Sequence, residues 1–80
     1  MIKNVHHPKY KALVNWLIAA RKSQGLTVRE FAKLIDEPHQ LVGKIETRVR
    51  KLSALEYWQY CRALGLNPEE GIKIMESTEG

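Results

Sequence analysis

An all-α domain of five helices is what this sequence predicts, and three observations carry the prediction. Apolar residues recur at helical spacing through most of its 80 residues. Helix start and stop signals punctuate those stretches at regular intervals. No run alternates apolar and polar residues at period two, as a half-buried strand would.

The first helix is expected over about Lys9 to Ser23, where Leu13, Trp16, Leu17 and Ala20 share one face. Pro8 suits its first turn, where a missing N–H costs nothing. Gln24-Gly25 ends it, the glycine being free to take a left-handed cap. Thr27 is a good N-cap for the second helix, and Glu30 three residues later completes a capping box. Val28, Phe31, Ala32 and Ile35 then form an apolar face. Asp36-Glu37 is the turn, since aspartate tolerates a left-handed backbone better than most residues. Pro38 opens the third helix. Ser53 with Glu56 is a second capping box. Leu55, Trp58, Cys61 and Leu64 are expected to line the core side of the fourth helix, which Gly65 stops. Asn67-Pro68-Glu69-Glu70 combines a cap, a proline in the first turn and acids near the positive helix end. The fifth helix is expected over about Pro68 to Glu76. Residues 1–80 thus read as one domain, with an ordered core over about 9–76, an N-terminal arm over 1–8 and a C-terminal tail over 77–80.

Composition narrows the function classes. At 44% hydrophobic and 28% charged residues the chain is too apolar for disorder. No apolar run approaches a membrane helix, and the N-terminus MIKNVHHPKY lacks the apolar stretch of a secretory signal. The lone Cys61 cannot form an internal disulfide, which suits the cytoplasm. His6-His7 has no further ligand at metal spacing, so it reads as part of a solvated arm, and neither a metal nor a cofactor is expected. The net charge of +4 is uneven: residues 1–51 carry +7 and residues 52–80 carry −3. Such a basic front suits a polyanion.

Leu26 to Glu46 is the most informative stretch, two short helices joined by a tight turn. On a helical wheel, Leu41, Val42 and Ile45 fall on one side of the third helix, and His39, Gln40, Gly43, Lys44 and Thr47 on the other. Glutamine can pair with adenine in two bonds, and lysine can donate to guanine. Gly43 sits in the middle of the polar side, where a missing side chain allows close backbone approach. It costs about 1 kcal/mol relative to alanine inside a helix, so a merely solvated face gains nothing from it. The run Thr47, Arg48, Arg50 and Lys51 leaves this helix as a polar and basic segment suited to phosphates.

These pieces together resemble the lambda-repressor-like, Cro-type helix-turn-helix family, also called the xenobiotic-response-element family. The resemblance rests on Ala20-Arg21-Lys22-Ser23-Gln24-Gly25-Leu26-Thr27, then Glu30-Phe31-Ala32, then Gln40-Leu41-Val42-Gly43-Lys44-Ile45-Glu46, and finally Ala63-Leu64-Gly65-Leu66-Asn67-Pro68. It covers roughly Leu13 to Ile74. It implies a third helix that enters the DNA major groove, with His39, Gln40 and Lys44 at base-reading positions. Thr47 and the start of the second helix, Thr27, Val28 and Arg29, take phosphate-contact positions. Arg21 and Glu46 match an arginine and glutamate that form a structural ion pair in many members. Two positions depart from the pattern. Val28 stands where many members have a phosphate-binding glutamine, and its valine side chain cannot bind phosphate, which leaves Arg29 to do so if any residue does. Asp36 replaces a frequent glycine in the turn.

Three functions are open on this reading. The first is a sequence-specific regulator of double-stranded DNA, a small repressor acting as a homodimer whose interface is Ile72, Ile74 and Met75. The second is an antitoxin-type module that neutralises a cognate toxin and binds its own promoter. An enzyme is the third and is not expected, because the acids sit mostly at helix caps and no nucleophile, base or metal ligands converge. Trp16 and Trp58 read as core residues, and Tyr57 and Tyr60 as the edge of the fourth helix nearest a subunit contact.

Overall fold

The structure is a computed structural model and describes residues 5–80. Among these residues there are five helices and no strand: α1 (Pro8–Ser23), α2 (Val28–Leu34), α3 (His39–Glu46), α4 (Ala54–Leu64) and α5 (Pro68–Ser77). No described helix is long and apolar enough to cross a membrane. Both capping boxes close. Thr27 Oγ1 accepts from the Glu30 N–H at 3.1 Å while Glu30 Oε1 accepts from the Thr27 N–H at 2.9 Å. Ser53 and Glu56 repeat the arrangement at the start of α4. Asp36 turns the chain between α2 and α3 with φ +56°, and Gly65 ends α4 with φ +69°. Pro38 is not inside α3. It stays extended as the N-cap, with no side-chain bond to the helix, because proline has no side-chain oxygen to offer.

The expected arm and tail take a different form. The first four residues of the arm lie outside the described residues. His7 is the N-cap of α1, its Nδ1 accepting from the Lys9 N–H at 3.1 Å, and Pro8 is already helical. At the other end Lys9 Nζ donates to the carbonyls of Met75, at 2.8 Å, and Thr78. A cation from the first helix thereby adds a donor to carbonyls at the C-terminal end of α5. Spacing patterns do not reveal this clasp, because the two residues lie at opposite ends of the sequence.

The core gathers Leu17 from α1, Phe31 and Ala32 from α2, Val42 and Ile45 from α3, Leu52 from the loop, and Tyr60, Cys61 and Leu64 from α4. Phe31 meets Tyr60 edge-on, with ring centroids 4.6 Å apart. Tyr60 is therefore a core residue and not an interface edge, while Tyr57 donates its hydroxyl to the Pro68 carbonyl at 2.6 Å. Burial pushes the Cys61 thiol above its ordinary range, which keeps it protonated.

The core face of α4 differs from the expected one. Trp58 is 51% exposed and Leu55 64% exposed. The positions 55, 58, 61 and 64 repeat every three residues, whereas a helix turns about 100° per residue, so Leu55 lies opposite Leu64. The true inner face is Tyr57, Tyr60, Cys61 and Leu64, at i, i+3, i+4 and i+7. Trp16 packs partly buried against the core. Gly71 sits where α5 packs directly against side chains of α1 and α4. A Cβ there would overlap the Tyr57 hydroxyl, Leu13 and Trp16.

α3 is fixed by one further contact. Arg21 Nε donates to Glu46 Oε2 at 2.7 Å and Nη2 donates to Oε1 at 2.9 Å, a bidentate pair with side chains 9% and 11% exposed. Arg21 Nη1 also donates to the Leu26 carbonyl. One guanidinium thus ties together α1, the segment before α2 and the end of α3.

These contacts set two expectations for stability. Gly71→Ala should lower the free energy of unfolding by about 1–3 kcal/mol through overpacking, read from urea denaturation. Arg21→Ala and Glu46→Ala should each destabilise by about 3–5 kcal/mol, since each strands a charge in a nearly buried site. The double variant should lose less than the sum, and strict additivity in the cycle would show that the two groups are not coupled.

Candidate nucleic-acid interface

α3 presents its two faces sharply. Val42 and Ile45 are buried. Gln40, Lys44 and Thr47 are exposed on the opposite side, and His39 and Gly43 are half-exposed beside them. A Cβ placed on Gly43 would meet nothing within 4 Å. Packing of the domain therefore does not require glycine there.

The chain leaves α3 through a tight C-terminal turn. Arg48 adopts φ +60°, and the Val49 N–H donates to the Lys44 carbonyl at 2.9 Å. This left-handed cap usually takes glycine, so an arginine here carries a backbone cost. The Thr47 hydroxyl donates to the Gly43 carbonyl at 2.9 Å. Tyr10 holds the rest of the loop, its hydroxyl accepting from the Leu52 N–H at 2.8 Å. The position of the loop is thus set from α1, a contact with no local sequence signal.

The basic residues are not equivalent. Arg29, Lys44 and Lys51 are exposed. Arg48 is half-buried, and its Nε is buried with no hydrogen-bond partner among the described residues. Arg50 is not a free cation: its Nη1 donates to Glu56 Oε1 at 2.7 Å. Sequence alone marks Glu56 as a cap residue, and it serves both functions. The Arg50 guanidinium, with help from the Ser53 cap, holds the Glu56 carboxyl below its ordinary pKa. At the start of α2, the Thr27 hydroxyl oxygen is engaged in its capping box. Val28 packs partly buried against the core, so only its backbone is left for a polar contact.

The expected interface residues on α5 are divided. Ile72 is exposed, while Ile74 and Met75 are half-buried within their own domain.

A carboxyl with a lowered folded-state pKa contributes stability above its unfolded pKa and loses that contribution as pH falls through the folded value. Glu56 should therefore help hold the fold near neutrality, by under about 1 kcal/mol because its partner is substantially exposed. Thermal unfolding followed from pH 6 down to about pH 3 should decline less steeply in Glu56→Gln than in the parent. Parallel declines would show that the pair contributes nothing.

Comparison with known proteins agrees with this arrangement. A family model described as helix-turn-helix matches residues 17–71. Among solved structures, an XRE-family like protein from Pseudomonas syringae pv. tomato str. DC3000 is similar, at 32% identity and a TM-score of 0.81. The similarity covers 91% of this chain and 89% of that one. No curated protein matches the chain. The matched residues include α2, the turn and all of α3, the elements that build the outward polar face. The chain belongs to the XRE-type, lambda-repressor-like helix-turn-helix family, a fold of DNA-binding regulators.

Proposed function

We propose that the chain is a sequence-specific regulator of double-stranded DNA, a small repressor that lays α3 in the major groove. The observation that carries this reading is the outward face of α3. It gathers His39, Gln40, Lys44 and Thr47 around Gly43, a glycine for which the domain's own packing gives no reason. Glutamine and lysine are suited to adenine and guanine edges, and a bare helix at Gly43 lets the backbone approach the bases. Arg29, Lys51 and Arg48 flank that face as phosphate contacts, with Thr27, the Val28 backbone and Thr47 beside them. Arg50 contributes less in this reading, because Glu56 already compensates its charge. An operator read by one short helix holds little information. Two copies about a two-fold axis double it, with half-sites about 34 Å apart.

Selection of bound sites from random duplexes tests the reading. The expected outcome is a two-fold symmetric motif, with log affinity falling linearly in log salt. Within that motif, alanine at His39, Gln40 or Lys44 should cost about 1–3 kcal/mol and relax preference at particular base pairs. Alanine at Arg29 or Lys51 should weaken all sequences alike and flatten the salt slope. Gly43→Ala should move stability and binding in opposite directions: unfolding becomes harder by up to about 1 kcal/mol, while DNA affinity falls. A variant as tight as the parent would remove α3 from the groove, and no binding at low salt to any duplex would sink the whole reading.

A further inference from the structure

Val49 is the most exposed large apolar side chain among the described residues, at 74%. A lone exposed valine is ordinary on a protein surface. The setting of this one is not. Arg48 and Arg50 flank it, and Lys51 follows. The backbone folds it back against α3. The Val49 N–H donates to the Lys44 carbonyl at 2.9 Å, and the Arg50 N–H donates to the same carbonyl at 3.1 Å. The Arg48 N–H donates to the Ile45 carbonyl at 3.1 Å. With Arg48 at φ +60°, this is a Schellman turn. In that turn the residue at the position of Val49 is commonly apolar because it packs on a side chain of the last helical turns. Here those positions belong to Gly43 and Lys44. Gly43 has no side chain and Lys44 is exposed and charged, so Val49 stays uncovered.

We propose that Val49 reads the C5-methyl group of a pyrimidine, that of thymine in unmodified DNA, at the edge of the site that α3 covers. The inference rests on the DNA-binding reading above and adds a residue that selects bases without a polar contact. The major groove presents hydrogen-bonding groups at every base pair and one apolar group, the thymine methyl. Gln40 and Lys44 answer the polar edges. The Val49 side chain has no donor or acceptor, and its N–H is already engaged by Lys44. A phosphate therefore gains nothing from it, and a phosphate oxygen pressed on valine would lose water without a bond in return. A methyl group loses only water that it holds poorly. Valine is stiff at χ1, and the turn fixes its backbone, so little freedom is lost on contact. The exposed Lys51 next to the loop supplies the attraction that brings this edge of the domain to the groove wall.

The test removes one methyl at a time. Each thymine of the motif selected by the parent protein is replaced by deoxyuridine, which leaves every polar edge intact. At one thymine in each half-site the parent should lose affinity about fourfold, the worth of one methyl group taken out of water. Val49→Ala should bind the thymine and deoxyuridine duplexes alike at that step, while Gln40→Ala still tells them apart. Its thermal stability and salt slope should match the parent, since neither a core contact nor a phosphate contact is removed. Cytosine against 5-methylcytosine at the same step separates the methyl from its carrier. A gain on methylation that is present in the parent and absent from Val49→Ala assigns the contact to the methyl on either pyrimidine. A response to thymine alone confines it to that base. The proposal is overturned if deoxyuridine costs the parent and Val49→Ala the same at every position. It is equally overturned by half-sites without a thymine on either strand, or by a loss in Val49→Ala that is uniform across sequences, which marks a contact to the sugar-phosphate chain. Failure of the DNA-binding reading looks different: the parent then binds no duplex at low salt, and both proposals fall together.

Discussion

The orientation of α3 depends on the bidentate pair between Arg21 and Glu46. An eight-residue helix is unstable on its own, and α3 buries only Val42 and Ile45 fully. Two buried side chains on one face of a short rod leave it free to tilt. The Asp36 turn fixes where α3 enters, and Glu46 fixes where it leaves. Arg21 holds that exit from α1, the longest helix, while its remaining nitrogen takes the Leu26 carbonyl. A nearly buried ion pair is a poor source of net stability compared with apolar packing. Its value here is directional, because a planar fork accepts a carboxylate in one geometry, whereas an apolar contact would tolerate a range of tilts.

Several local costs fall on or directly after α3, beside two elsewhere: Asp36 holds a left-handed backbone in the turn before it, and the buried Tyr60 hydroxyl in the core has no partner among the described residues. Gly43 gives up helix propensity at an open site, Arg48 holds a left-handed backbone that glycine would adopt freely, and the buried Nε of Arg48 lacks a partner. All three lie on or directly after α3. Where α1 meets α5, the structure shows a terminal clasp and a glycine fitted to its neighbours. Sequences that fold well are consistent at every level except where function demands otherwise.

Much of this is legible in the sequence because it is local. The caps at Thr27 and Ser53, the stop at Gly65, the left-handed turn at Asp36 and the two-sided pattern of α3 are all set by residues within four positions of each other. The pairing of Arg21 with Glu46 spans 25 positions, and only likeness to a family suggests it. What stays hidden has two physical causes. One is phase: a three-residue repeat on α4 looks continuous in sequence but winds around the helix, so Trp58 reads as an inner residue although it lies outside. The other is distance. The Arg50–Glu56 pair, the Tyr10 bond to the Leu52 N–H and the fit of Gly71 depend on which segments meet in space. Glu56 shows the limit well, because its evident capping role conceals its second partner.

The clasp between Lys9 and the end of α5 also bears on how the chain is made. α1 packs more extensively against α5 than against any other helix. The residues that complete its surroundings are the last of this domain to be synthesised. While a ribosome is still extending the domain, α1 has its own hydrogen bonds but not its main packing partner. Leu13 and Trp16, which rest near Gly71 in the finished domain, lack that part of their cover until then. Contacts this far apart in sequence close late and slowly compared with local ones. The helix-turn-helix segment emerges earlier, yet Arg21, the residue that orients it, belongs to that same waiting helix. The domain thus gains its final geometry once α5 has emerged rather than piece by piece during translation.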